Sequence, residues 1–165
     1  MPHDHPTTSV LFICLGNICR SPMAEAIFRK LVTDAGLADQ VEIDSAGTGE
    51  WHVGSPPHHG TQAILRKNGV TFDGQRARQI QPVDLGHYDY LIVMDSSNLD
   101  DAQALVRRHD TGDHSLIIAR LLDYADPSIA GRERNVPDPY YTGNFDYVFE
   151  LVTSGCQGLL KEITQ

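Results

Sequence analysis

Cys14-Leu-Gly-Asn-Ile-Cys-Arg20-Ser21-Pro22 sets a cysteine, five further residues and an arginine just ahead of a Ser-Pro pair, types and a spacing suited to nucleophilic attack on a phosphate ester. A loop wound this tightly aims successive backbone N–H groups inward as an anion nest, and a helix following it adds the positive end of its dipole. The field that holds a phosphate dianion also favours thiolate over thiol, which makes Cys14 the nucleophile. Arg20 presents a planar fork of donors that matches two phosphoryl oxygens as Lys does not. Ser21 is placed to donate a hydrogen bond to the sulfur, both as thiolate and as leaving group. Gly16 and Asn17 are residue types that tolerate the positive φ of a tight cradle. Leu15, Gly16, Asn17, Ile18, Cys19 and Arg20 thus form the expected phosphate-binding set.

Transfer of a phosphoryl group to sulfur expels an alkoxide or phenoxide, so its rate depends on a proton donor opposite the nucleophile. Asp138 lies in a stretch, 126–143, that reads as a long loop, and the flanking Pro137 and Pro139 stiffen it. On its own residues Asp138 reads equally well as a turn-forming Asp beside Pro. Trp51, Tyr140 and Tyr141 are loop aromatics, which means either partial burial or a recognition surface. Cys19, five residues from Cys14 and inside the cradle, is placed to form a reversible disulfide that protects the nucleophile. Cys156 falls on an apolar helix face and reads as core.

The stretch Cys14–Pro22 resembles the phosphate loop of the low-molecular-weight protein tyrosine phosphatases. The resemblance extends from Val10 to the last helix, through Asp44-Ser45-Ala46-Gly47-Thr48, Trp51-His52-Val53-Gly54, Ala77-Arg78-Gln79, Tyr88-Asp89-Tyr90, Met94-Asp95 with Ser97-Asn98, and Asp138-Pro139-Tyr140-Tyr141. It implies that Asp138 is the general acid and then the base on water. It also implies that Trp51, Tyr140 and Tyr141 line a crevice whose depth favours phosphotyrosine over phosphoserine, with Leu15 and Ile18 shaping its mouth. Ser45 is implied to hydrogen-bond Asn17, and Asp95 to support the loop, although a strand-end Asp also caps a helix without further purpose. Gln75 stands where many members carry a His, so the Asn17–Ser45 link is expected to stand alone.

The implied activity is a hydrolase that needs neither metal nor cofactor. It would act on a tyrosine-phosphorylated protein or a small aryl phosphate and release phosphate, which would also inhibit it. An arsenate reductase uses a similar loop but relays a disulfide through additional cysteines, and residues 69–101 contain none. A phosphotyrosine-binding module would not require Cys, Arg and Asp together.

These groups need a scaffold, and 165 residues suffice for one core. We expect residues 1–8 to be a flexible terminus, in which His3 and His5 do no more than fray, and 9–165 to be the domain. Thirteen Lys and Arg against 22 Asp and Glu give a net charge of −9, which disfavours nucleic acid or an anionic membrane as partner. No apolar run reaches the roughly 18 residues of a membrane span, and the N-terminus has no signal-peptide pattern. Three cysteines fit neither a zinc site nor a secreted disulfide framework, so a cytoplasmic protein with free thiols is expected.

Ser9–Cys14 reads as a buried strand, and Ser21 and Pro22 as the cap and first residue of a helix whose stripe is Ala24, Ile27, Phe28, Leu31, Val32 and Ala35, closed by Gly36. A second strand carries Val41 and Ile43, and a second helix carries Ala63, Ile64 and Leu65 and closes at Gly69. Tyr90–Met94 reads as a strand, with Asp95 and Ser96 capping a helix over 99–106, and Ser115–Ile118 as the fourth strand. Phe145, Val148, Phe149, Val152, Cys156, Leu159, Leu160 and Ile163 keep helical spacing to the end. The alternation predicts an α/β fold: a single doubly wound domain with a four-stranded parallel sheet, helices on both faces, and ligands beyond the carboxyl ends of the strands.

Overall fold

The computed structural model describes residues 8–109 and 115–165 of the chain. Four strands, β1 (Thr8–Cys14), β2 (Val41–Gly47), β3 (Tyr90–Val93) and β4 (Ile117–Arg120), form one parallel sheet in the order β2-β1-β3-β4. The helices are α1 (Arg20–Asp34), α2 (His59–Lys67), α3 (Pro82–His87), α4 (Ser96–Arg108), α5 (Pro127–Ala130), α6 (Pro139–Thr142) and α7 (Phe145–Thr164), with a 3-10 turn at Leu121–Tyr124.

Strand β1 is central because its residues are apolar on both sides. Val10 and Phe12 join the core under α1 and α7, where Phe12 meets Phe28 edge-on at 5.5 Å between ring centres. Leu11 and Ile13 face the opposite core with Leu85 of α3 and Ala102 of α4. Such two-sided burial is what a parallel sheet requires, and it makes β1 a rigid base for whatever follows it. The chain moves to one side of β1 for β2 and to the other for β3, so the crevice beyond β1 and β3 is the switch point of the sheet.

Several expectations need correction. Strand β1 starts at Thr8 rather than Ser9; residues 1–7, with His3 and His5, lie outside the described residues. Helix α1 begins at Arg20, with Cys19 at its N-cap and no capping side chain, because the Ser21 hydroxyl is committed elsewhere. Strand β4 is displaced two residues from the predicted Ser115–Ile118, to Ile117–Arg120, where it pairs with Tyr90–Val93. The stretch 126–143 is not simply a loop: Asp126 caps α5 and Asp138 caps α6, each followed by Pro. Helix α3, capped by Gln81 and starting on Pro82, was not anticipated. Among the described residues, no helix is long and apolar enough to cross a membrane.

Candidate active site

Residues 15–19 leave β1 and turn directly into α1. Asn17 has φ of 57°, the one positive value among the described non-glycine residues, and its side chain holds the backbone there. Nδ2 donates to Ser21 Oγ at 2.8 Å and to Ser45 Oγ at 3.0 Å, while Oδ1 accepts from the backbone N–H of Arg78 at 3.0 Å. Ser45 donates onward to buried Glu25 at 2.7 Å, whose other oxygen receives Arg29 at 2.8 Å. The Asn17–Ser45 bond therefore exists but does not stand alone. Gln75 takes no part in this network: its Nε2 donates instead to the Pro22 carbonyl at 3.0 Å.

Asn17→Ala removes three hydrogen bonds and leaves alanine in a left-handed conformation. We expect a loss of about 2–4 kcal/mol in urea unfolding. A loss below about 1 kcal/mol would mean that the loop holds its shape without Asn17.

Gly16 is not at positive φ, contrary to expectation. It is small for another reason, since a Cβ there would lie 3.0 Å from Cδ2 of His52.

Cys14 Sγ stands 2.9 Å from Ser21 Oγ and accepts the backbone N–H of Asn17 at 3.2 Å. Ser21 Oγ already accepts a hydrogen bond from Asn17 Nδ2, so its own hydroxyl proton is free to point at the sulfur. Arg20 is almost fully buried, with Nη1 donating to Asp95 at 2.6 Å and to the Val136 carbonyl at 2.9 Å, and Nη2 to Asp138 at 3.4 Å. Burial opposes its charge, but Cys14, Asp95 and Asp138 outweigh burial and raise its pKa. Its Nε is buried with no partner among the described residues. Nor do the backbone N–H groups of Leu15, Gly16, Ile18, Cys19 and Arg20 find a protein acceptor among them. Unpartnered donors in this number, gathered around a buried sulfur, suit an anion with several oxygens.

A cavity of about 380 Å³ brings together Cys14, Leu15, Gly16, Ile18, Cys19, Arg20, Trp51, Asp138, Tyr140 and Tyr141, with His52 in addition. Asn17 lies behind this surface, buried, as a support rather than a wall. Trp51 and Tyr141 are 72% and 76% exposed, so these aromatics form a surface, not core. Tyr140 packs edge-on to Tyr141 at 5.1 Å and lies 5.7 Å from His58. Burial, with His59 and His52 nearby, lowers the His58 pKa, which suits its Nδ1 to accept the Gly60 N–H at 3.0 Å and cap α2.

Asp138 uses one oxygen to cap α6 through Tyr140 N–H at 3.1 Å and turns the other to Arg20. Asp95 caps α4 through Asn98 N–H at 2.8 Å and accepts from Arg20 Nη1 with its other oxygen. All three cysteines are free and buried. Burial first, then the charges of Asp138 and Cys14, push the Cys19 thiol up to about 12, so it stays protonated at neutral pH. Cys156 sits in the core against Ala24, and burial raises its pKa as well.

Glu25, His52 and the Val136 carbonyl escaped the sequence reading. Glu25 carried one signal, a carboxylate a single turn beyond Ser21 among the apolar residues of α1. His52 had only its place beside Trp51.

Residues 9–165 match the family described as low molecular weight phosphotyrosine protein phosphatase. The chain is 52% identical over 155 residues to the low molecular weight protein-tyrosine-phosphatase YfkJ of Bacillus subtilis, covering 94% of this chain and 95% of that one. It is 43% identical over 156 residues to the low molecular weight protein-tyrosine-phosphatase PtpA of Staphylococcus epidermidis, covering 94% of each. The crystal structure of YfkJ superimposes with a TM-score of 0.89 at 49% identity over 98% of both chains.

Proposed function

Since the chain belongs to the low molecular weight phosphotyrosine protein phosphatase family, we propose that it cleaves phosphotyrosine in two displacements centred on Cys14. It is a hydrolase, a protein-tyrosine-phosphatase. In the first displacement the Cys14 thiolate attacks phosphorus, the bond from phosphorus to the tyrosine oxygen breaks, and Asp138 gives its proton to the departing phenoxide. In the second, Asp138 takes a proton from water, the water oxygen attacks phosphorus, and the phosphorus–sulfur bond breaks. Ser21 then stabilises the departing thiolate and phosphate leaves.

Arg20 Nε and the loop N–H groups receive the equatorial oxygens, whose charge is most spread in the transition state. The observation that carries this reading is the set of unpartnered loop N–H groups, together with the buried, unpartnered Arg20 Nε, around Cys14.

Trp51, Tyr140 and Tyr141 would stack on the substrate ring, so tyrosine-phosphorylated proteins and small aryl phosphates are the substrates, with phosphate as product and inhibitor. Reduced free thiols suit the cytoplasm as the working compartment. Cys19 acts as a guard: peroxide oxidises Cys14 to a sulfenic acid, whose hydroxyl leaves as water with the Cys19 thiol proton as the two sulfurs join in a reducible disulfide, a step that the raised Cys19 pKa slows at neutral pH.

The test is hydrolysis of phenyl phosphate and p-nitrophenyl phosphate in the presence of a chelator. Asp138→Asn should slow phenyl phosphate by about 10²–10³-fold and p-nitrophenyl phosphate, whose leaving group needs no proton, far less. Equal loss on both would remove Asp138 as the acid.

A further inference from the structure

Trp51 and Leu15 line the catalytic cavity and also a second one of about 340 Å³ that reaches α4. Its walls include the apolar side chains of Ile80, Ala104 and Leu105, with Thr48, Gln79, Asp101 and Arg108 as polar members. The Trp51 ring lies directly over Gly49: a Cβ at that position would come within 1.9 Å of the ring. That close seating fixes the indole as a partition between the two spaces, although most of it faces solvent. The Thr48 hydroxyl is buried without a partner, and Arg108 makes no ion pair, both among the described residues. Nothing in the two displacements uses this second space.

We propose that this cavity is a substrate subsite that takes an aliphatic side chain close in sequence to the phosphotyrosine. This rests on reading the Cys14 cavity as the phosphotyrosine site. The two spaces share Leu15 and Trp51, so a peptide whose phosphotyrosine enters one is draped over the indole with its neighbours above the other. An extended segment advances about 3.3 Å per residue, so residues within three of the phosphotyrosine reach about 10 Å. Ile80, Ala104 and Leu105 offer that side chain apolar wall, and Arg108 and Asp101, which also line the space, offer the peptide backbone a donor and an acceptor. The subsite therefore selects among phosphotyrosine sequences, which the aromatic walls of the catalytic cavity alone cannot do.

The experiment walks one leucine through the three positions on each side of phosphotyrosine in an otherwise Gly-Ser peptide. We expect one or two positions to raise kcat/KM by about 5- to 20-fold over the parent, the size of partial burial of one aliphatic side chain. Ala104→Phe, which fills the space, and Ala104→Glu, which charges it, should each erase that increment. Both should leave the parent peptide and p-nitrophenyl phosphate unchanged.

A flat leucine walk with normal turnover of p-nitrophenyl phosphate would overturn the subsite and leave the catalytic reading intact. An increment surviving in both variants would overturn it too. Failure of the wild-type protein on every substrate would sink the catalytic reading, and the subsite with it. Activity on p-nitrophenyl phosphate reports folding of each variant, and if neither folds the leucine walk alone decides.

Discussion

Cys14→Ser is expected to lower turnover of p-nitrophenyl phosphate and of phosphotyrosine peptides by at least about 10⁴-fold, as loss of a nucleophile does. A serine hydroxyl keeps the shape of the site but ionises far less readily than a thiol, so bond formation to phosphorus fails while the anion cradle persists. Arg20, held by Asp95 and the Val136 carbonyl, does not depend on the sulfur for its position. The variant should therefore still bind inorganic phosphate, seen as heat in titration calorimetry and as stabilisation against urea in proportion to phosphate added. Turnover within tenfold of wild type would exclude the phosphocysteine route. Loss of phosphate binding along with turnover would mean that the sulfur shapes the cradle as well as attacking from it.

Arg20→Lys keeps the charge and should still cost about 10²–10³-fold in kcat/KM, the scale of removing transition-state donors. An ammonium cannot reach Asp95, the Val136 carbonyl, Asp138 and a phosphoryl oxygen at once, whereas the guanidinium divides these tasks among Nη1, Nη2 and the unpartnered Nε. The fall should lie mostly in kcat, because the loop N–H groups continue to bind the ground-state dianion. Asp95 and Asp138 would also lose their shared partner, so urea stability should drop by about 2–4 kcal/mol, somewhat less than for deletion of a buried charge. Activity within tenfold of wild type would show that charge alone suffices.

What could be read in the chain followed from how local each feature is. The stretch from Cys14 to Arg20 was legible because nucleophile, loop, clamp and helix start are contiguous, and β1 because its apolar run is unbroken. Asp138 was ambiguous alone, since the same residue that faces Arg20 also makes an ordinary cap with Pro after it. Helices α5 and α6 were missed because four residues show no periodicity, although Asp followed by Pro is a helix-start signature. Ser21 looked like a cap because a serine before proline usually is one; here its hydroxyl serves Cys14 and Asn17 instead. Glu25 and Gln75 acquire their roles only when α1, β2 and the segment before Arg78 come together, and no spacing within one element announces that.

The left-handed turn at Asn17 also bears on when work is done. Bending an L-residue into that region is unfavourable by about 1–3 kcal/mol, and here Ser21, Ser45 and Arg78 meet that demand while the chain folds. The expense falls once in the lifetime of each molecule instead of recurring at every catalytic cycle. Substrate arriving at the cradle has no loop to shape, so its own contacts with the loop remain available for the reacting group. A stiff cradle of this kind also ties catalytic speed to the general robustness of the fold: whatever loosens the junction of β1, β2 and α1 slows the chemistry before the protein unfolds.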